Sequence, residues 1–130
     1  MPLLDDLADF IIANNPSFLA ASTFAGDWQD EPDVACVVYE YPGSNVYMMG
    51  GGPVSLEMPR VQIVVRAPEY TNARLLAGSI RATMDTIRST TLNGTRYLRV
   101  GALDTPHEIA PDVQHRKRIA VNYEVMKEPS

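Results

Sequence analysis

The sequence has a single cysteine, and it has no lysine or arginine before Arg60. Because one thiol cannot form an internal disulfide, Cys36 gives no support for secretion into an oxidising space. No apolar run approaches the ~20 residues that a helix needs to cross a bilayer, and the N-terminus lacks the basic start of a secretion signal. We therefore expect a soluble protein of a reducing compartment that has no membrane partner.

The two halves of the chain carry opposite charge. All eleven basic residues lie at or after Arg60, whereas nine of the sixteen acidic residues precede it. The first 59 residues thus carry −9 (nine acidic, none basic), and the remainder carries +4 (eleven basic, seven acidic). These charges can cancel within one folded monomer. Alternatively, the acidic side of one subunit meets the basic side of the next, which favours head-to-tail rings.

The centre of the chain reads as a strand followed at once by a helix. In the segment 59–68, Val61, Ile63 and Val65 lie on one face of an extended chain and Gln62, Val64 and Arg66 on the other, as in a strand that ends at Pro68. From Glu69 to Arg88 the apolar residues recur at steps of three and four, which is the period of an amphipathic helix. A helix with one apolar stripe after such a strand predicts a sheet that the helix covers.

Other segments extend this pattern. Acidic residues near its start and an apolar stripe predict a helix from Leu3 to Asn14. The segment Ser17 to Phe24 fits either a short strand or a further helical turn. Alternation and β-branched residues predict three more strands, at 34–41, 96–102 and 118–125, and Asn93-Gly94 predicts a turn. With 45% hydrophobic residues in 130, the chain is predicted to form one α+β domain over residues 1–130. We expect a mixed four-stranded, or slightly larger, sheet with two helices packed on one face.

No motif in the sequence predicts catalysis or ligand binding. The glycines of Gly50 to Pro53 are not followed by the Lys-Ser/Thr pair that a phosphate-binding loop requires. His107 and His115 have no further ligands at zinc spacing, and Cys36 has no base near it in sequence. We therefore predict a protein that is not an enzyme and that holds no metal and no cofactor.

Two charged clusters are weak signals. The acidic residues Asp27, Asp30, Glu31 and Asp33 fit a solvated turn better than acid–base catalysis. The basic run 116–118 could contact phosphates, but three charges in an acidic chain are little support for nucleic-acid binding. A small enzyme of unrecognised type and a nucleic-acid-binding module are thus the alternatives from other functional classes.

The most informative segment is an apolar, glycine-broken loop predicted from Ser44 to Met58. It can fold back as a flap over its own sheet, but methionines and a tyrosine among glycines suit a surface that adapts to a partner. We favour a partner, and we predict an interface formed by this loop and by two arginines of the following strand: Val46, Tyr47, Met48, Met49, Leu56, Met58, Arg60 and Arg66.

Three segments carry a resemblance to a known family. They are Asp33 to Gly43 (DVACVVYEYPG), Pro59 to Ala67 (PRVQIVVRA) and the start of the helix at Tyr70 to Arg74 (YTNAR). Together with the closing strand from Arg118 to Lys127, they resemble the minor capsid or tail terminator family of tailed bacteriophages. The resemblance runs from about Ala25 onward, and the first 24 residues match least.

The resemblance implies a structural virion protein with a tail-terminator-like fold. Such a subunit forms a homohexameric ring that caps the tail tube and provides the head–tail joining surface. Its expected partners are further copies of itself, the tail tube protein and a head–tail connector or neck protein, with DNA passing through the lumen without sequence-specific binding. Its expected location is the head-proximal end of the virion tail, after assembly in the host cytoplasm. The alternatives within the same class are a head-completion or neck protein and a tail tube subunit.

Overall fold

The computed structural model describes residues 2–14, 23–26, 33–47, 54–112 and 115–128. They form two helices and seven strands in the following order: α1 (Pro2–Asn14), β1 (Thr23–Ala25), β2 (Ala35–Tyr47), β3 (Val54–Ala67), α2 (Tyr70–Met84), β4 (Arg88–Leu92), β5 (Thr95–Ala102), β6 (His107–Ile109) and β7 (Lys117–Lys127). This composition confirms the predicted α+β class.

All seven strands belong to one sheet. Its order is β1-β2-β3-β7-β5-β4, and β6 pairs with the N-terminal half of β7. The pair β1–β2 is parallel and every other pair is antiparallel, so the sheet is mixed, as predicted, and larger than four strands. The long antiparallel strands β2, β3 and β7 form its centre.

Both helices pack on the same face of the sheet. Alternate residues of the central strands point to this face, because the side-chain period of a strand is two. Helix α1 lies over β1 and β2, and α2 lies over β3, β7 and β5. The core between helices and sheet is built chiefly from the following buried side chains: Leu7, Ile11, Cys36, Val38, Val61, Ile63, Val65, Leu76, Ile80, Met84, Ile119, Val121, Tyr123 and Val125.

The predicted loop from Ser44 to Met58 is wrong at both of its ends. Strand β2 continues through Pro42 to Tyr47, and β3 already begins at Val54, so these residues form paired strands of a long hairpin. Residues 48–53 lie outside the described ranges. The ladder is irregular between Tyr41 and Ser44. Pro42 lies at this irregular step, where its missing backbone N–H disturbs the hydrogen-bond ladder least.

The second helix is shorter than predicted, and a strand follows it. Helix α2 ends at Met84 instead of Arg88, because Arg88 begins β4. The turn predicted at Asn93-Gly94 is confirmed. Both residues have positive φ, 48° and 84°, as a two-residue hairpin turn between β4 and β5 requires.

Two short strands lie in segments where the sequence pattern is ambiguous or polar. The undecided segment Ser17 to Phe24 reaches β1 at Thr23, and its residues 17–22 fall outside the described part of the chain. The polar stretch after Asp104 contains β6, which pairs its residues with Arg118 to Ala120.

Candidate assembly surface

The face of the sheet opposite the helices is partly accessible. We call this the outer face, and we define it by side chains that are half-buried or exposed on the four strands β2, β3, β7 and β5: Tyr39, Tyr41, Met58, Arg60, Gln62, Arg99, Asn122, Glu124 and Met126. Tyrosine, methionine and arginine are the residue types that protein interfaces are enriched in. This face is therefore the candidate assembly surface.

One end of this side of the sheet is closed by a buried ionic cluster. Arg116 is 5% exposed, and its Nε donates a 2.8 Å hydrogen bond to Oδ2 of Asp112. Its Nη1 lies 3.1 Å from Oδ1 of Asp33. Arg66 is 2% exposed and lies 4.0 Å from Asp112 Oδ2. Two buried guanidinium groups are thus paired with two carboxylates, of which that of Asp33 remains 65% exposed.

The other end of the outer face holds an open depression of about 170 Å3. Its lining comes from three strands and the segment after β5: Met58, Arg99, Gly101, Ala102, Leu103, Glu124 and Met126. We call it the methionine depression. Leu103 is 48% exposed, and Glu124 forms a 3.8 Å ion pair with Arg60. A flexible apolar lining beside charged groups suits an adaptable protein contact.

A second, shallower depression lies at the β2 margin of the sheet. It is lined by Tyr39, Glu40, Tyr41, Gln62 and Asn122. Strand β1 pairs only with residues 36–38 of β2. From Tyr39 onward, β2 therefore has no neighbouring strand on that side among the residues that the structure describes.

The hairpin of β2 and β3 extends past the end of the sheet. The last pairing of β3 with β7 joins Glu57 to Lys127, whereas β3 pairs with β2 as far as Val54. Residues 44–47 and 54–56 thus form a two-stranded ribbon, which we call the arm. The segment 44–56 contains no charged residue. Two strands alone cannot bury their own side chains, so the arm gains stability from any surface that covers it.

The eight residues predicted to form the interface lie in different environments. Val46 and Tyr47 belong to the arm, although only their backbone is described, and Met48 and Met49 lie outside the described ranges. Leu56 and Met58 are half-buried on β3. Arg60 is 46% exposed on the outer face, whereas Arg66 is part of the buried ionic cluster.

Some of the opposite charges of the two halves of the chain form ion pairs within the subunit. Besides the contact of Arg116 with Asp33, Nζ of Lys127 lies 2.8 Å from Oε1 of Glu57. Both pairs join an acid from the first 59 residues to a base from the remainder. Cancellation inside the monomer thus accounts for part of the charge separation.

The residues considered for chemistry that the structure describes are not assembled into a site, and Asp27, Asp30 and Glu31 lie outside the described ranges. Burial raises the pKa of Cys36 to about 12, so its thiol stays protonated at neutral pH. His107 lies 4.0 Å from Asp104, and His115 lies elsewhere with φ of 61°. Within the described ranges, no group of three or more His, Cys, Asp or Glu side chains could hold a metal ion. The described helices are also too short and too polar to span a membrane.

Comparison with solved structures identifies the same fold in two other proteins. A chain in the virion of a native gene transfer agent particle aligns with a TM-score of 0.61 and 10% sequence identity, over 94% of this chain and 92% of that one. A second structure, whose description states no function, aligns with a TM-score of 0.56 and 17% identity, over 99% and 94%. No family model and no curated protein matches the sequence. At 10% and 17% sequence identity, the structural similarity shows a shared fold.

Proposed function

We propose that this chain is a structural component of a phage or phage-like virion, a tail terminator that forms a ring on the end of the tail tube. The observation that carries the proposal is the fold shared, over nearly the whole length of both chains, with a component of a gene transfer agent virion. The proposed site is the head-proximal end of the tail, where the ring also provides the surface on which the head docks.

The proposed mechanism is geometric and needs no catalysis. A ring bound to the tube end covers the surface that the next tube subunit would recognise, so tube growth stops. The uncharged arm supports this role, because it extends past the sheet and is stabilised when a neighbouring copy covers it. Burial of its apolar side chains contributes roughly 25 cal/mol per Å2 of apolar area removed from water.

The partly accessible outer face supports contacts between copies. Each copy would use different surfaces toward its two neighbours, and heterologous contacts of this kind form a ring of fixed number when the rotation between neighbours closes. We propose six copies, in keeping with the family that the sequence resembles. The lumen of such a ring would pass DNA without reading its sequence.

Electron microscopy of the purified chain, alone and with growing tail tubes, tests this proposal. We expect closed rings, and we expect tubes that stop growing when the chain is added. Tubes that lengthen by incorporating the chain would identify a tube subunit instead. Binding to filled heads without any effect on tubes would identify a neck or head-completion protein. A chain that stays monomeric and binds neither structure would overturn the virion role.

A further inference from the structure

The strand register arranges the side chains of the outer face in rows. One row crosses the sheet from Tyr39 through Gln62 to Asn122, because these residues are direct cross-strand partners. The backbone N–H of Leu103 donates a 2.7 Å hydrogen bond to the carbonyl of Asn122, so Leu103 ends this row on the β5 side. We call it the amide row. An aromatic, two amide and one apolar side chain thus follow one another across the face.

A second row lies two residues further along the strands. It runs from Tyr41 through Arg60 and Glu124 to Gly101, again by direct cross-strand pairing. Arg60 and Glu124 form the 3.8 Å ion pair, and their side chains are 46% and 31% exposed. We call this the charged row. Its two opposite charges lie on the two central strands, β3 and β7, one on each side of the midline of the face.

The guanidinium of Arg99 covers the end of the charged row. A Cβ atom built on Gly101 would lie 3.0 Å from Nη2 of Arg99, so the guanidinium lies over the space that the glycine leaves open. Arg99 is exposed, and among the described residues its guanidinium has no hydrogen-bond or ion-pair partner. A guanidinium positioned in this way is a good partner for the face of an aromatic ring.

The order of the residues makes the outer face complementary to itself. A two-fold axis that runs along the strands, midway between β3 and β7, places β3 of one copy on β7 of a second copy. In the charged row, Arg60 of each copy then faces Glu124 of the other, so the four charges alternate in sign. The two methionines of the methionine depression likewise lie on β3 and β7, and each faces its counterpart on the other copy.

The amide row matches in the same arrangement. Nδ2 of Asn122 donates a 2.7 Å hydrogen bond to Oδ2 of Asp104, which orients the amide and leaves its carbonyl oxygen as an acceptor. Among the residues that the structure describes, the amide of Gln62 has no hydrogen-bond partner. Gln62 of one copy faces Asn122 of the other, so its NH2 group can donate to that oxygen.

The margins of the face also match. The same axis places β2 of one copy on β5 of the other. Tyr41 then meets the guanidinium of Arg99 in a cation–π contact, and Tyr39 meets Leu103, which is 48% exposed, in an apolar contact. Arg99 thus gains a partner that the single subunit does not supply.

Charge decides between the two ways in which the face can meet itself. An axis that runs across the strands would place Arg60 on Arg60 and Glu124 on Glu124 of the second copy. Like charges that face one another across an interface oppose association. The axis along the strands brings opposite charges together instead, so it is the favoured arrangement.

We propose that two copies of the chain associate through their outer faces as a two-fold dimer. The inference goes beyond the proposed ring, because ring contacts are heterologous and this contact is isologous. Four strands at a spacing of about 4.8 Å give a face roughly 20 Å wide, which is small for a specific interface, so the dimer dissociates readily. While it lasts, the dimer keeps the outer face from every other partner.

Reversal of the central charges tests the dimer. Arg60→Glu leaves two acids at the centre of the face and Glu124→Arg leaves two bases, so each variant alone is expected to dimerise about tenfold or more weakly, as measured by analytical ultracentrifugation. A mixture of the two variants is expected to associate again, because each acid of one then faces a base of the other. Both substitutions in one chain should also restore the dimer.

The controls make the same reversals on the other side of the sheet. Arg74→Glu and Glu69→Arg change exposed residues in and next to α2, and both variants are expected to dimerise like the wild type. Circular dichroism melts show whether each variant folds. Arg60→Gln, expected to weaken the dimer about fivefold, takes the place of a reversal that does not fold.

The outcomes separate the dimer from the ring. A wild-type chain that shows no species of twice the monomer mass up to about 500 µM would overturn the dimer and leave the ring proposal in place. Dimers without rings, in solution and on tube ends, would overturn the ring and leave the dimer. Reversed variants that dimerise like the wild type, or a mixture that does not associate, would overturn the assignment of the dimer to the outer face.

Discussion

The hydroxyl of Tyr97 donates a 2.7 Å hydrogen bond to Oδ2 of Asp6, although the two residues lie 91 positions apart in the chain. Nδ2 of Asn93 donates a second bond of 2.7 Å to Oδ1 of the same carboxylate. Asp6 is 2% exposed and Tyr97 is fully buried. These bonds fasten α1 to the hairpin of β4 and β5, so the N-terminal helix is held to the sheet by polar contacts as well as by its apolar stripe.

Substitution Tyr97→Phe should destabilise the fold. It removes the hydroxyl and leaves one oxygen of a buried carboxylate without this donor, which costs about 1–3 kcal/mol in the free energy of unfolding. Urea denaturation followed by circular dichroism measures this change. A variant as stable as the wild type would show that the bond to Asp6 contributes nothing net.

Substitution Tyr123→Phe should have the opposite effect and serves as the matched control. Tyr123 is also fully buried in the core, but its hydroxyl has no hydrogen-bond partner among the residues that the structure describes. Removing an unsatisfied buried hydroxyl should leave stability unchanged or raise it by about 1 kcal/mol. A loss as large as that of Tyr97→Phe would indicate a partner for this hydroxyl, and the same denaturation measurement decides.

Alkaline pH should unfold the protein. Burial, then the bond to and charge of Asp6, raise the pKa of Tyr97, and burial followed by the charge of Asp85 raises the pKa of Tyr123. Burial also raises the pKa of Cys36 to about 12. Since unfolded cysteine and tyrosine lose their protons near pH ~8.5 and ~10, the native state binds more protons above these values, and stability falls as pH rises.

The expected slope is at most about 1.4 kcal/mol per pH unit for each of these groups. Urea denaturation at pH values from about 7 to about 11, in steps of roughly one unit, measures this slope. Tyr123→Phe should flatten the dependence, because one of the three groups is then absent. A free energy of unfolding that stays constant over this pH range would contradict the burial of the Cys36, Tyr97 and Tyr123 side chains.

Replacement of Tyr47, Met48 and Met49 by serine should abolish rings and leave a folded monomer. The substitutions remove apolar side chains at the end of β2 and directly after it, and they change none of the core residues named above. Native mass spectrometry measures the assembly state. Tyr70→Ser with Leu75→Ser is the control, since these side chains on α2 are 44% and 68% exposed and lie away from the arm and the outer face. An unchanged ring mass in the serine variant would remove the arm from the interface.

Strong periodicity made the core elements predictable. The alternation of Ile119, Val121 and Tyr123 in β7 and the apolar stripe of α2 both report burial on one side, and the structure confirms both elements. The hairpin of β2 and β3 was not predicted, because Pro42 and Pro59 lie inside its strands and break the usual strand pattern. The irregular step of β2 lies opposite Pro59, so both missing donors fall at one interruption of the ladder.

The short strands gave weaker signals. Strand β4 is polar, with the sequence RSTTL, and Ser89 has a positive φ of 48°, so neither alternation nor propensity marks it. Strand β6 has three residues and is defined by its pairing with β7. Arg88 lies directly opposite Arg99 in the register of β4 and β5, and no local pattern in the sequence reveals that register.

The interruption at Pro42 also bears on how the chain behaves before it assembles. A long, regular strand at the margin of a sheet is a template on which identical chains stack into amyloid-like fibrils. At this margin Pro42 has no backbone N–H to donate, and the register of the ladder shifts between Tyr41 and Ser44. Copies crowded together at high concentration thus find no straight, regular ladder at this margin on which to stack.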